Sequence, residues 1–512
     1  MAVLGTHPVR RAATIMMIAG CVASLDGSAA AQSVWPPDQK VGAVLSSAKA
    51  RRIAVIGIGD SNQLFNTAGW DQGWTTALAA RYGIWGSGLL SAGEAQGFGS
   101  SVGYGCNTIA SAPQGNGLFQ YTQAPADLEW FMGPGLLDPQ YYLYVEDGAA
   151  GNAMWQHGMV VSPWSGMSVQ DALTFHFAYG MFPGSRGFNI GARVLVNQNQ
   201  VVGEGFVDTE GAYGAAIGSF ELPAGPRYAP VHLFFGDAAG YVRGPMLIYL
   251  MQAENPGRTT GAAVHTLYGS GGKTARDMGL ALMGASRDQL RLYFTMVRAP
   301  LGENPKVIVR INAGANDRGE WHPSLLSNIL PGNSGAAYKD NVLAIMTRIR
   351  DVWDRAGWDT ESELYFVLTP THAVWDPEDP AIAEFRVAAR ELAEAQPNTA
   401  AVTLPLLASE METSRNGWYN LPGDHYHLNA AGVTELSIRE VRALVATECR
   451  EPADINDSGQ VETEDLREVL GDFGLPMTPG QGGDLTADGI VGTADLVWLL
   501  QKFGDTTCNN QY

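Results

Sequence analysis

From Ile53 to Ile58 the chain is apolar or glycine at every position, and Gly59 ends the run. Side chains along a strand alternate between its two faces, so a run of this kind has no wet side. It suits a parallel sheet covered by helices on both faces and argues against a half-exposed antiparallel strand. A helical stretch follows from about Asp71 to Tyr82. The same grammar returns at Ala262–Leu267, Lys306–Ile311, Leu364–Leu368 and Ala401–Leu404, with helical stretches from Thr274, over Ala336–Arg355 and from Pro380. Strands alternating with helices predict a doubly wound α/β domain over residues 51–86 and 260–446. Arg310 sits inside one of these apolar strands, and no role for it is legible.

Residues 87–259 break the alternation. The first part, to about Pro139, is rich in Gly, Ser, Asn and Gln without a sustained period. Short alternating runs follow at Tyr141–Val145, Leu173–Phe177, Val194–Val196, Val231–Phe235 and Met246–Leu250. Short strands between turns predict a β-rich insertion, a sandwich or barrel, within the α/β domain. The 62 Gly and 27 Pro of the 512 residues suit such a turn-rich chain. Hydrophobic residues at 46% exclude general disorder, and a formal net charge of −20 argues against a nucleic-acid partner.

The amino terminus reads as an address. Arg10 and Arg11 precede an apolar run to Leu25, and Ser28-Ala29-Ala30-Ala31 supplies small residues for cleavage. This is the order of a secretory signal peptide over residues 1–31, and it predicts an exported protein. Ile18-Ala19-Gly20-Cys21 also fits a lipobox, the alternative being a lipid anchor at Cys21. No other stretch reaches 18 uninterrupted apolar residues, so no transmembrane segment is expected.

Three polar clusters stand at junctions of the α/β pattern. Gly59-Asp60-Ser61 follows the first strand, Gly314-Ala315-Asn316-Asp317 follows the strand at 306–311, and Asp424-His425-Tyr426-His427 precedes the last helix. Ligands of open α/β sheets bind outside the carboxyl ends of the strands, where these groups converge. A serine nucleophile needs a base to take its proton, and the base needs a third group to hold its tautomer. Ser61, His427 and Asp424 fill those roles. An acyl-transfer transition state also needs donors aimed at the forming oxyanion, and the Ser61 N–H, a glycine N–H and the Asn316 amide are available.

These blocks resemble the SGNH (GDSL) hydrolases: Gly59-Asp60-Ser61, Gly314-Ala315-Asn316-Asp317 and Asp424-xx-His427, with Ser270-Gly271-Gly272-Lys273-Thr274 as a looser second block. The resemblance spans 51–86 and 260–446 and departs from the family in the long separation of the first two blocks. It implies a three-layer α/β/α, flavodoxin-like sandwich, with Ser61 as nucleophile, His427 as base and Asp424 as its partner. Ser61, Gly272 and Asn316 would be the oxyanion donors, and no cofactor would be needed for catalysis. The implied activity is a serine esterase acting on acyl, most plausibly acetyl, esters of polysaccharide. Two alternatives stay open: acyl transfer to another sugar through the same triad, and a non-catalytic carbohydrate- or surface-binding protein on a hydrolase scaffold.

The tail changes grammar again. Asp454, Asn456, Ser458 and Asp465, and thirty residues on Asp484, Thr486, Asp488 and Asp495, occupy positions 1, 3, 5 and 12 of two loops with Gly at position 6. An apolar helical run follows each loop, Leu466–Phe473 and Leu496–Phe503. This oxygen-rich spacing wraps Ca²⁺, and a plain acidic tail would not repeat Gly and Leu in phase. The duplicated loop–helix unit, residues 449–508, resembles a dockerin module, which implies structural Ca²⁺ and a cohesin-type protein partner. Ser458, Thr486 and Gly492 depart from the usual ligands, so unequal and reduced affinities are expected. Cys449 and Cys508 bracket this small unit and are expected to form a disulfide across it, leaving Cys106 free.

Overall fold

The computed structural model describes residues 33–36, 39–60, 70–91, 102–103, 106–108, 143–145, 159–161, 171–181, 183, 187–194, 200–212, 214–225, 231–235, 246–269, 273–317, 321–322, 327–328, 334–370, 380–403, 418, 427–446, 453, 455, 461–476, 483–486 and 490–504. Gln32–Glu448 form one compact unit, and the chain from Cys449 onward belongs to a second.

The first unit is built on a six-stranded sheet of β1 (Ser33–Trp35), β2 (Arg52–Gly59), β3 (Gly261–Gly269), β4 (Val307–Ala313), β5 (Leu364–Pro370) and β6 (Thr399–Thr403). Their order is β1-β6-β5-β4-β2-β3; only β1, on the edge, runs antiparallel to its neighbour. The five parallel strands, counted along the chain, therefore lie 2-1-3-4-5. The order reverses between β2 and β4, which opens a crevice at the carboxyl ends of those two strands.

Both faces of this sheet are dry, as the continuous apolar runs require. Ala54, Ile56 and Ile58 point into a core shared with α3 (Ala275–Gly284), α4 (Arg287–Arg298), α5 (Gly335–Arg355) and α6 (Pro380–Ala395). Their neighbours Ile53 and Val55 point into a second core with α1 (Val41–Ser46), α2 (Trp70–Tyr82) and α7 (Ala430–Ala446). Helices thus cover the sheet on both sides. Local chemistry sets where two of them begin: Thr274 and Asp277 exchange side-chain and backbone hydrogen bonds at the start of α3, as Ser286 and Gln289 do at α4. Residues 33–49, which carry no legible period in the sequence, supply the edge strand β1 and the helix α1.

Between β2 and β3 the chain builds two antiparallel sheets. One runs Gln200–Val207, Phe188–Val194, Val231–Phe235, Met159–Val161, Cys106–Thr108, Val102–Gly103; the other runs Gly214–Leu222, Leu173–Met181, Met246–Glu254, Leu90–Ser91, with Leu143–Val145 also paired to Met246–Glu254. The sheets face each other. A Cβ at Gly203 would stand 3.0 Å from the Phe220 ring, and one at Gly205 would stand 3.6 Å from both Phe220 and Ile190. The missing side chains of one sheet therefore make room for the aromatic of the other, and Phe220 in turn lies 6.5 Å from Phe175.

The chain leaves the α/β body through Ile84–Leu89. Trp85 donates from Nε1 to the Ile53 carbonyl at 2.8 Å, and Leu89 N–H donates to His265 Nδ1 at 3.0 Å. At Gly88 (φ +76°) a Cβ would lie 1.7 Å from the Val264 carbonyl oxygen, so only glycine fits against β3. Arg52, over the Trp85 ring, pairs with Glu254 at 2.6 Å, and Glu254 also takes His176 at 2.7 Å. Burial pushes the Glu254 carboxyl up, but the His176 and Arg52 hydrogen bonds outweigh it and hold it below the ordinary range. Among the described residues no helix is long and apolar enough to cross a membrane.

In the second unit, α8 (Thr463–Gly471) and α9 (Thr493–Lys502) pack around Ala453, Val461, Val469, Val491 and Leu499. The thirty-residue repeat becomes a reciprocal pairing: Gly474 N–H donates to the Val491 carbonyl at 2.7 Å and Gly504 N–H to the Val461 carbonyl at 2.8 Å. Each helix starts two residues before its position-12 carboxylate, so Asp465 and Asp495 stand in first turns, ahead of the helical runs expected from Leu466 and Leu496.

Candidate active site

Ser61, Gly272 and Asp424 lie outside the described residues. β2 delivers Asp60, fully buried, to the carboxyl edge of the sheet, one residue before Ser61. β4 delivers the turn Ala315-Asn316-Asp317 to the same edge, on the other side of the crevice. Asn316 Nδ2 donates to the Lys273 carbonyl at 3.0 Å. Asp317, 1% exposed, accepts the Ala275 N–H at 3.2 and 3.0 Å on its two oxygens. Consecutive residues of one turn therefore grip the chain on both sides of Thr274, directly after Gly272. The Asn316 amide keeps its second N–H for another acceptor.

Behind this turn, buried Tyr338 donates to the Ala313 carbonyl at 3.3 Å and stacks on Phe385. Burial, then the charges of Asp317 and Asp60, push its hydroxyl well above the ordinary phenol range, so it stays a neutral donor.

His427 is half-buried and leads into α7. Leu428 is buried beside it, and Asn429 caps the helix, its Oδ1 accepting the Gly432 N–H at 3.0 Å while its own N–H donates to the Trp418 carbonyl at 2.7 Å. The first turns of α2 and α7 touch: a Cβ at Gly73 would lie 2.7 Å from the Val433 carbonyl oxygen. The first described helix after Ser61 and the helix that follows His427 thus begin side by side at the carboxyl edge of β2. Sequence spacing alone carries no sign of this contact except a glycine in the first turn of α2.

Arg310 also acquires partners. It projects from β4 and meets Glu440 of α7, Nε to Oε1 at 3.0 Å and Nη2 to Oε2 at 3.0 Å, with the two side chains 2% and 0% exposed. Trp74 Nε1 donates to Glu440 Oε2 at 3.0 Å, and the Thr369 hydroxyl donates to Oε1. The guanidinium lies 4.4 Å over the Trp70 ring.

In the second unit, Asp454, Asn456, Ser458 and Asp488 lie outside the described residues, as do Cys449, Cys508, Cys21 and the leader 1–31. Asp465, Asp484 and Asp495 are buried at 0%, 1% and 0% exposure. Asp495 accepts Gly492 N–H at 2.7 Å, and the Thr486 N–H and hydroxyl at 2.8 and 2.9 Å. Burial pushes the Asp495 carboxyl up, and these bonds more than reverse it, holding the group ionised. Positions 3 and 12 of the second loop are thereby joined, and position 12 of the first loop binds the Glu462 N–H at 2.8 Å. No cluster of three metal-ligating His, Cys, Asp or Glu side chains forms among the described residues.

No protein-family model matches this chain, and no curated protein sequence is similar to it. Solved structures are similar at low identity. A family two carbohydrate esterase from Cellvibrio japonicus aligns over 67% of this chain and 98% of its own length, at 10% identity and a TM-score of 0.23. A xylan-binding domain from Paenibacillus barcinonensis aligns over 33% of this chain and 93% of its own, at 11% identity and a TM-score of 0.20. A gut microbial diltiazem-metabolizing enzyme aligns over 35% of this chain and 39% of its own, at 16% identity and a TM-score of 0.22.

Proposed function

We propose that this chain is an exported serine esterase of SGNH type that removes acyl groups, acetyl above all, from polysaccharide. One observation carries the reading: Asn316 and Asp317 hold the chain immediately after Gly272, beside the strand that ends two residues before Ser61. Those are the groups an oxyanion hole and its nucleophile require, at the reversal point of a 2-1-3-4-5 sheet.

In this reading Ser61 Oγ attacks the ester carbonyl while His427 takes its proton, and Asp424 holds the imidazole in the right tautomer. The oxyanion meets the Ser61 and Gly272 N–H groups and the free N–H of Asn316. Collapse of the tetrahedral intermediate breaks the C–O bond, and His427 returns the proton to the departing sugar hydroxyl. Water then attacks the acyl-enzyme by the same route and releases the acid. The β-sandwich insertion and the acidic second unit belong to the same proposal, as a polysaccharide-facing module and a Ca²⁺-stabilised dockerin-like unit for a cohesin-type partner. The expected donors of that unit are all oxygen, and Asp465, Asp484 and Asp495 among them are buried, which suits a hard cation.

The test is a panel of acylated polysaccharides with identification of the released acid. Wild-type protein should release acetate, and Ser61→Ala should release none while keeping its circular dichroism spectrum. Unchanged release by Ser61→Ala sinks the assignment.

A further inference from the structure

Resting on the esterase reading above, we infer that the buried Arg310–Glu440 pair is a positioning device that holds the base-bearing helix in register with the oxyanion turn. The pair joins the elements that carry the blocks of the site. Arg310 belongs to β4, six residues before Asn316; Glu440 belongs to α7, which begins three residues after His427; Trp74 belongs to α2, the first described helix after Ser61. Thr369 adds β5. All of them meet on one carboxylate.

An apolar contact would hold α7 against the sheet as firmly, but it would not choose a rotation. Leu436, Val433 and Val441 share one core with Ile308 and Val367, and apolar attraction, being non-directional, can tolerate a small rotation of the helix. Glu440 cannot, because both of its oxygens are committed to directional donors: Arg310 Nε and Thr369 on Oε1, Arg310 Nη2 and Trp74 on Oε2. The Arg310 plane is itself fixed against the Trp70 ring. Ten residues of α7 separate Ala430 from Glu440, about three turns, and a helix is stiff over that length. Fixing Glu440 therefore fixes the azimuth of the first turn, where Asn429 hands the chain to Leu428 and His427. A buried ion pair contributes little net stability over apolar residues of the same size, so specificity of register is the gain that explains its presence.

Glu440 and Arg310 touch no substrate, and their effect has to appear in turnover by fully folded protein. The experiment compares wild type, Glu440→Gln, the double variant Arg310→Met/Glu440→Met and Ser61→Ala in the full chain. Three readouts are taken at a temperature where each is folded by near-ultraviolet circular dichroism: kcat, KM, and the rate of Ser61 labelling by a fluorophosphonate. The double variant guards against a Glu440→Gln protein that fails to fold, because it leaves no buried charge unpaired. Positioning predicts kcat and labelling rate reduced about 10- to 100-fold with KM within about twofold, since small misplacements of reacting groups cost about that much. It predicts this for the double variant even where its melting temperature equals or exceeds wild type. A folded double variant with wild-type kcat and labelling overturns the inference and leaves the pair a packing feature. Activity or labelling that survives in Ser61→Ala overturns the esterase reading instead.

Discussion

At the level of single residues, the proposed role of Asn316 rests on one amide. Its bond to the Lys273 carbonyl takes one N–H and orients the side chain, and the esterase reading gives the other N–H to the oxyanion. Asn316→Ala should therefore lower kcat by roughly 10²–10³-fold with KM little changed, the cost typical of one lost oxyanion donor. Steady-state kinetics on a soluble acetyl ester checks it; a KM effect with kcat intact would mean that the amide binds substrate in its ground state instead. Asp317 has a different task, since both of its oxygens accept the Ala275 N–H and neither is free to face a substrate without releasing the start of α3. The neutral Tyr338 behind it fits the same picture of a braced turn.

Between elements, the seam of β3 with the segment Ile84–Leu89 carries a buried histidine that sequence inspection passed over. His265 accepts the Leu89 N–H on Nδ1, and burial pushes its pKa from 6.5 down to about 3. A folded-state pKa below the unfolded value means that the unfolded chain binds the proton first. The stability this group confers is complete above about pH 6.5 and is lost progressively as pH falls toward 3. Wild-type melting temperature should drop across that window by an amount on the order of a few kcal/mol in stability at its lower end. His265→Gln, whose side-chain oxygen can still accept from Leu89, should lose that part of the acid sensitivity. Thermal melts of both proteins from pH 7 to pH 3.5 decide the matter: parallel curves would show that carboxylates dominate and that His265 is silent.

For the whole molecule, two units of different construction predict two responses to calcium. The α/β unit has two large apolar cores among its described residues. The second unit has a small core of Ala453, Val461, Val469, Val491 and Leu499, and buried Asp465, Asp484 and Asp495. Buried carboxylates repel one another and lose hydration unless something compensates them, and hard oxygen donors in this spacing favour Ca²⁺. Scanning calorimetry of the full chain should show one transition that chelator lowers and calcium restores, with the other unmoved, since a ligand that binds only the folded unit stabilises that unit alone. Two chelator-insensitive transitions would remove calcium from the account.

The amino-acid order by itself determined what repeats locally. Apolar runs such as Ile53–Ile58 and Ile308–Ile311 announce strands buried on both faces, Thr274 opens a legible helical stretch, and the thirty-residue echo of Asp, Gly and Leu announces a duplicated unit. Each is legible because it reports the burial or hydrogen bonding of residues within a few positions of one another. Only the tertiary structure decided the 2-1-3-4-5 strand order, the joining of the three-residue strand Ser33–Trp35 to Ala401–Thr403, and the partners of Arg310. Ser33-Val34-Trp35 is too short to show a period, and Arg310 finds its carboxylate 130 residues along the chain. A charge within an apolar strand reads as an error until the fold brings Glu440 to it, because pairing at that separation is chosen by how helices and sheet pack together and leaves no mark on the neighbouring residues.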